Sequence, residues 1–182
     1  MNWVTRAFNK EARDSGPGSL VGDGAGAVVV ESLSGRGSII DALERTSTAD
    51  FDFIKMNSAQ VTGDREYLAF TKSHKIIHRA FSILPETAQK LLDRNGLSAN
   101  DVTWSISHQP GINAISKWHE MLGIPIERNL NTFGLYGNMS AANIPVTLNH
   151  FISIDHKINN GDIILAFTAG AGIHSAAVLI EY

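Results

Sequence analysis

Three polar loops in this chain hold the residue types able to do chemistry. His108-Gln109-Pro110-Gly111 follows a short apolar stretch. Tyr136-Gly137-Asn138-Met139-Ser140-Ala141-Ala142 precedes a helical pattern. Ala169-Gly170-Ala171-Gly172 separates the last two apolar stretches. Each falls where a strand should end, and open α/β sheets place their sites at strand ends. Three such loops could share one pocket at one edge of a sheet. The excluded chemistry is as informative. The chain has no cysteine, which rules out disulfides, a thiolate metal site and a cysteine nucleophile within it.

Taken singly, these residues have plainer readings. A lone His108 is more often structural or on the surface, and Asn138 after Gly137 suits a turn. Gly22-Asp23-Gly24-Ala25-Gly26-Ala27 has the look of a phosphate loop. Such a loop should open a helix, whereas Val28-Val29-Val30 reads as strand, so tight packing is the better account. His74 and His78 lie four apart on a helical pattern, a spacing able to bind metal. No carboxylate or third histidine completes a site, and they read as a solvated helix face. His174 stands beside the closing Gly loop, although strand alternation is equally able to turn it to solvent.

The scaffold that must position the loops is an ordinary one. The chain has 182 residues, 43% of them hydrophobic and 18% charged, enough for one sizeable core. Net charge is −3, from 15 basic and 18 acidic residues without a basic tract or acidic tail, so neither nucleic acid nor a membrane is an expected partner. No apolar run reaches the roughly 18 residues that span a bilayer, and the first residues lack a secretory pattern. The cytoplasm is the expected compartment.

Residues 1–19 read as a loop or frayed start. A continuously apolar, β-branched strand is expected over 25–31, buried on both faces, and a second strand over 38–43. Residues 46–66 have no clear period and read as a functional loop. Phe51, Phe53 and Met56 could line a channel or anchor it. A helical pattern runs from Glu66 to Asn95, broken or not at Pro85, and Asn95-Gly96 ends it. Then follow a strand over 101–108, a helix over 112–122, a short strand near 128–131 and a helix begun by Ser140 as its cap. Strands over 163–167 and 175–180 close the chain. The order β-α-β-α-β-α-β-β predicts a largely parallel sheet with helices on its faces and an antiparallel closing pair.

One signature occurs twice. Val21-Gly22-Asp23-Gly24-Ala25-Gly26-Ala27-Val28-Val29-Val30-Glu31 and the closing Thr168–Glu181 segment are both Gly/Ala loops running into an apolar strand that ends in Glu. Such a repeat suggests two similar halves, with the chain holding the end of one and the whole of the other. Residues 1–34 would be a disordered start and the last strand of a first half, and 35–182 a complete C-terminal half.

The motifs Gly22–Ala27, His108-Gln109, Gly137–Ala142 and Gly170-Ala171-Gly172, in this order and spacing, resemble β-ketoacyl-acyl-carrier-protein synthase III. The resemblance covers about residues 20–182 and implies the α/β thiolase-like fold, as its C-terminal half plus the last strand of the preceding half. It also implies an acyltransferase that joins an acyl thioester to malonyl-acyl carrier protein by decarboxylative Claisen condensation. A Cys of the first half carries the acyl group. His108 and Asn138 match the catalytic pair that assists decarboxylation. Two fixed N–H donors, a neutral imidazole and a carboxamide, can hold the charge gathering on the enolate oxygen. Gly170, Ala171 and Gly172 match the backbone oxyanion hole. Gln109 and Gly111 fall on the substrate side.

The implied substrates are coenzyme A and carrier-protein phosphopantetheine thioesters, with no bound cofactor or metal. The implied partners are acyl carrier protein, acyl-coenzyme A, a Cys-bearing N-terminal half or subunit, and a second copy in a homodimer. There are departures from the family pattern. Ala171 replaces the usual Gly, Pro110-Gly111 replaces Ala-Asn, and Met139 stands where Thr is common. The resemblance places the Cys in a first half that this sequence does not include, so the chain alone is expected to be inactive, whether it is an excised domain, one product of a split gene or a truncated relative. Such a half should expose an apolar face, and so dimerise, bind its mate or aggregate. Two alternatives remain open: a non-catalytic scaffold subunit of the same fold, and acyl transfer to another nucleophile in secondary metabolism.

Overall fold

The computed structural model describes residues 20–30, 32, 37–50, 54–57, 67–70, 73–170 and 173–182. Six strands and four α-helices are formed among them: β1 (Ser38–Thr46), β2 (Ile54–Asn57), β3 (Tyr67–Phe70), α1 (Ser73–Arg94), β4 (Trp104–Ser107), α2 (Ile112–Leu122), α3 (Phe133–Tyr136), α4 (Asn143–Ser153), β5 (Ile163–Gly170) and β6 (His174–Glu181).

β5 and β6 organise the molecule because their sequences alternate on both faces. Leu165 and Phe167 of β5, with Ala177 and Leu179 of β6, face one core. There they meet Leu84, Ala88, Leu91 and Leu92 of α1 and Trp118 and Leu122 of α2. Ile164 and Ala166 of β5, with Val178 and Ile180 of β6, face the other core, against Ile144, Leu148, Phe151 and Ile152 of α4. A side-chain period of two thus feeds two helical layers from one sheet. Each fully buried Leu or Ile stabilises this arrangement by about 1.5–3 kcal/mol relative to exposure.

The main sheet runs β1-β6-β5-β4. β4 and β5 are parallel, whereas β5/β6 and β6/β1 are antiparallel. The expectation of a largely parallel sheet is therefore corrected to a mixed one. The tight β5–β6 hairpin forces one antiparallel pairing, and β1 adds to its far side as another.

Helix ends follow their glycines. At α1, Gly96 has φ +67 and the N–H of Leu97 reaches the carbonyl of Leu92. At α2, Gly123 has φ +68 and the N–H of Ile124 reaches the carbonyl of His119. Both are the left-handed closure in which Gly avoids a Cβ penalty. Pro85 lies inside α1, which remains one helix. Arg94 at its end grips Asp41 of β1 through Nε at 2.7 Å and a terminal nitrogen at 2.7 Å. Asn95 adds Nδ2 to the same carboxylate at 2.9 Å. These bonds, that of Asn95 first, hold the Asp41 carboxyl below its ordinary range.

Other expectations are corrected. Leu68 and Phe70 belong to β3, which pairs antiparallel with β2. The helix starts at Ser73, after the Glu66 expected from spacing. β2 also gives regular structure to part of the supposed 46–66 loop. Near 128–131 there is a single parallel bridge, Ser105 to Asn129, in place of a strand. Ser140 does not cap α4 with its side chain, and a 3-10 turn over Ser140–Ala142 precedes the helix.

The described part of the strand expected over 25–31 forms no ladder. A strand needs a hydrogen-bonding neighbour, and no described strand lies alongside it. Val28, Val29 and Val30 are 63%, 89% and 70% exposed, the reverse of the expected burial on both faces. Phe51 and Phe53, and the side chain of Met56, lie outside the described residues.

Candidate functional site

The elements bring His108 to the end of β4. Its backbone N–H donates to the carbonyl of Phe167 on β5 at 2.9 Å, extending the parallel pairing by one step. The imidazole is partly buried, and burial pushes its pKa down to about 4, since the cation loses hydration there. The ring is therefore neutral at physiological pH. Its Nδ1 is buried with no hydrogen-bond partner among the described residues.

Gln109 is placed differently from the substrate contact expected of it. It is fully buried. Its Nε2 donates to Thr147 Oγ1 at 2.9 Å, and its Oε1 accepts the Thr132 N–H at 3.1 Å. Thr132 and Thr147 share a further hydrogen bond at 2.9 Å. The amide is consumed in pinning three parts together: the loop after β4, the loop before α3, and α4. A buried polar group must be satisfied internally, and here both Oε1 and Nε2 of the amide are engaged by protein.

Gly111 caps the start of α2, its carbonyl accepting the Ile115 N–H at 3.2 Å. A side chain placed on it would meet nothing within 4 Å. It offers open space beside His108's loop.

Asn138 is the most constrained member. Its backbone N–H donates to Leu20 O at 2.8 Å, and its carbonyl accepts the Gly22 N–H at 3.0 Å. The loop around it is wound by Gly137 at φ +69 and by Ser140 at φ +56. A non-glycine residue in that region is uncommon and is held there only by its surroundings. Asn138 Oδ1 accepts from Ser140 N at 2.9 Å and from Asn143 Nδ2 at 3.2 Å. Its Nδ2 has no partner among the described residues.

The Gly22–Ala27 loop explains itself by contact. A Cβ at Gly22 would fall on the Tyr136 carbonyl. One at Gly24 would stand 2.5 Å from Met139 Sδ, and one at Gly26 2.7 Å from Pro145 Cγ. Every second residue is Gly because the segment lies flat along the Asn138 loop and the first turn of α4. The reading of tight packing over phosphate binding agrees with this.

Gly170 ends β5 opposite His174, whose ring occupies the space a Gly170 side chain would need. Ala171 and Gly172 lie outside the described residues. The remaining histidine pair, His74 and His78, sits on α1. No group of three or more metal-capable residues occurs among the described residues, and no described helix is long and apolar enough to cross a membrane. Asn143 and the Thr132–Thr147 pair escaped sequence reading. The one signal for Asn143 was a lone amide within the small and apolar run Ala141-Ala142-Asn143-Ile144-Pro145-Val146.

Residues 92–182 match the family described as 3-oxoacyl-[acyl-carrier-protein (ACP)] synthase III C terminal. A beta-ketoacyl-[acyl-carrier-protein] synthase III of Wolbachia pipientis wMel is 34% identical over 164 residues, covering 90% of this chain and 51% of that protein. The enzyme of the same name from Roseobacter denitrificans is 33% identical over 171 residues, with 90% and 51% covered. The crystal structure of 3-oxoacyl-[acyl-carrier-protein] synthase III from Aquifex aeolicus VF5 superposes with a TM-score of 0.75 at 25% identity, over 83% of this chain and 46% of that one. The synthase III structure from Thermus thermophilus gives 0.78 at 20% identity, over 97% and 56%. The mixed α/β sheet is thus half of the thiolase-like fold. The chain spans about half the length of the curated relatives it matches. With half its residues matched by the family's C-terminal region and two relatives above 30% identity across most of its length, the chain belongs to the 3-oxoacyl-[acyl-carrier-protein] synthase III family.

Proposed function

We propose that this chain is the enolate-binding half of a condensing acyltransferase. The observation that carries the reading is the state of Asn138. Both of its backbone hydrogen bonds and its Oδ1 are occupied by protein, which leaves Nδ2 as the free donor. At the end of β4 stands a neutral histidine able to offer a second N–H.

In the proposed reaction a malonyl thioester on acyl carrier protein loses carbon dioxide. The electron pair of the broken C–C bond becomes an enolate whose oxygen takes the negative charge. Asn138 Nδ2–H and His108 Nε2–H donate to that oxygen. The imidazole's proton must then sit on Nε2, leaving the Nδ1 lone pair in the buried side of the ring. The nucleophilic carbon attacks an acyl thioester on a Cys of the complementary half, and the thiolate leaves. The Gly170–Gly172 backbone would serve the acyl-enzyme oxyanion. Fixed donors cost no reorganisation as charge develops, and each is worth roughly 3–4 kcal/mol.

The cysteine must come from outside this sequence, so the test uses the chain assembled with a Cys-bearing half. Malonyl-carrier-protein decarboxylation and condensation would be followed for wild type, Asn138→Ala and His108→Ala. Losses of roughly a hundred- to a thousandfold in kcat with intact assembly are expected for each. Full activity in Asn138→Ala would transfer the chain to the scaffold reading. Product formed without the Cys-bearing half would also overturn the proposal.

A further inference from the structure

We propose that Asn143 is a positioning residue that turns the Asn138 carboxamide so that its N–H groups face the site. The proposal rests on the reading of Asn138 as an enolate donor and adds what holds it in that state. The geometry fixes both amides without ambiguity. A backbone N–H can only donate, so the Asn138 side-chain atom 2.9 Å from Ser140 N is its oxygen. By the same argument the Asn143 atom 2.8 Å from Met139 N is its oxygen. The nitrogen of Asn143 is then the atom that meets Asn138 Oδ1 at 3.2 Å.

Asn143 is 1% exposed and opens α4, so its own rotation is blocked by packing. Asn138 Oδ1 thus has two donors aimed at it, one of them on Ser140 at φ +56. Reversing the Asn138 carboxamide would set its NH2 against both and forfeit two hydrogen bonds. The only orientation left presents Nδ2 away from Asn143. An asparagine side chain is otherwise free to exchange its oxygen and nitrogen by half a turn, and a site that needs a donor must forbid this. Asn143 does so through a second function, because its oxygen also ties down the Met139 N–H beside the catalytic residue.

The two functions can be separated. Asn143→Asp keeps the volume and the acceptor for Met139 N–H but replaces the donor with an acceptor that repels Asn138 Oδ1. Asn143→Ala removes both. In the 182-residue chain labelled with 15N on asparagine and on backbone amides, side-chain relaxation reads the order of Asn138 Nδ2, and hydrogen exchange reads Met139 N–H. In Asn143→Asp, Asn138 Nδ2 order is expected to drop to that of surface amides while Met139 stays protected. Asn143→Ala is expected to lose both, and if it fails to fold, Asn143→Asp decides alone. Unchanged Asn138 order in Asn143→Asp overturns the proposal, as does a freely rotating Asn138 amide in wild type. In the assembled enzyme, Asn143→Asp should lower kcat for malonyl decarboxylation roughly tenfold or more with KM unchanged. Full activity of Asn138→Ala in that same assay sinks the enolate reading instead, with the relaxation result still deciding the orientation.

Discussion

Gly22 donates its backbone N–H to the carbonyl of Asn138 at 3.0 Å, so a residue at one end of the described chain holds the backbone of a candidate catalytic residue in the other half. The contact is possible only without a side chain, because a Cβ at Gly22 would fall on the Tyr136 carbonyl, which is backbone and cannot step aside. At Gly24 the obstacle is Met139 Sδ at 2.5 Å, part of a flexible thioether that can move. Gly22→Ala is therefore expected to raise hydrogen exchange at the Asn138 and Gly22 amides at least about tenfold, the effect of losing roughly 1.4 kcal/mol of local closure. Gly24→Ala, whose Cβ would also stand 3.2 Å from Met139 Cβ, should raise it less than Gly22→Ala. Equal protection in all three proteins would show that the segment does not clamp Asn138.

The contrast between these glycines and the valines after them shows what a single sequence can reveal. The Gly-x-Gly-x-Gly spacing marks close backbone approach, and the approach is observed. Val28-Val29-Val30 has strand character, but pairing depends on neighbours that residue types do not encode, and the described valines are exposed. The alternation of 163–167 and 175–180 was legible because both faces of β5 and β6 meet apolar layers. Leu68 and Phe70 misled because a four-residue strand fits a helical spacing as well as its own. Asn95-Gly96 marked a real helix end because the left-handed closure is local chemistry. At the site, His108 and Asn138 drew notice by type and motif. Gln109 drew the same notice, but its type does not say that its amide bonds Thr132 and Thr147. Asn143 was silent for the converse reason: its role comes from a bond across a turn.

His119 supplies a stability prediction independent of the site. It lies in the core on α2, its Nδ1 within 2.8 Å of the Ile115 carbonyl and its Nε2 within 2.6 Å of Ser105 Oγ on β4. A carbonyl only accepts, so Nδ1 carries the proton and the serine hydroxyl donates to Nε2. Ser105→Ala leaves that nitrogen buried and unpaired, at a cost of roughly 1–3 kcal/mol. The urea midpoint should fall accordingly with an unchanged slope. A midpoint equal to wild type would mean that the hydroxyl contributes nothing to holding α2 against β4.

The His108 imidazole predicts how stability responds to acid. Its pKa is held down to about 4 in the folded chain by burial, against about 6.5 when exposed. Between these values the unfolded chain binds the extra proton, so stability rises with pH. The contribution is fully present above about pH 6.5, is lost as pH falls toward 4, and changes little below that. A shift of this size corresponds to something on the order of 3 kcal/mol. His119, whose pKa is also lowered by burial, acts in the same direction. Asp41 and Asp101 have lowered carboxyl values, and their stabilisation is lost only at more acid pH, as the solution falls through the ordinary carboxylate range and below. Urea unfolding of wild type and His108→Gln at pH 4 to 7 separates the terms. The variant should lose most of one proton's worth of slope; the remainder includes His119 and, toward pH 4, the onset of the Asp41 and Asp101 contributions. The His108 ring, followed directly by NMR, should titrate near pH 4. Titration near 6.5 would mean that the ring is hydrated and able to charge at physiological pH, which would remove the neutral donor that the proposed decarboxylation requires.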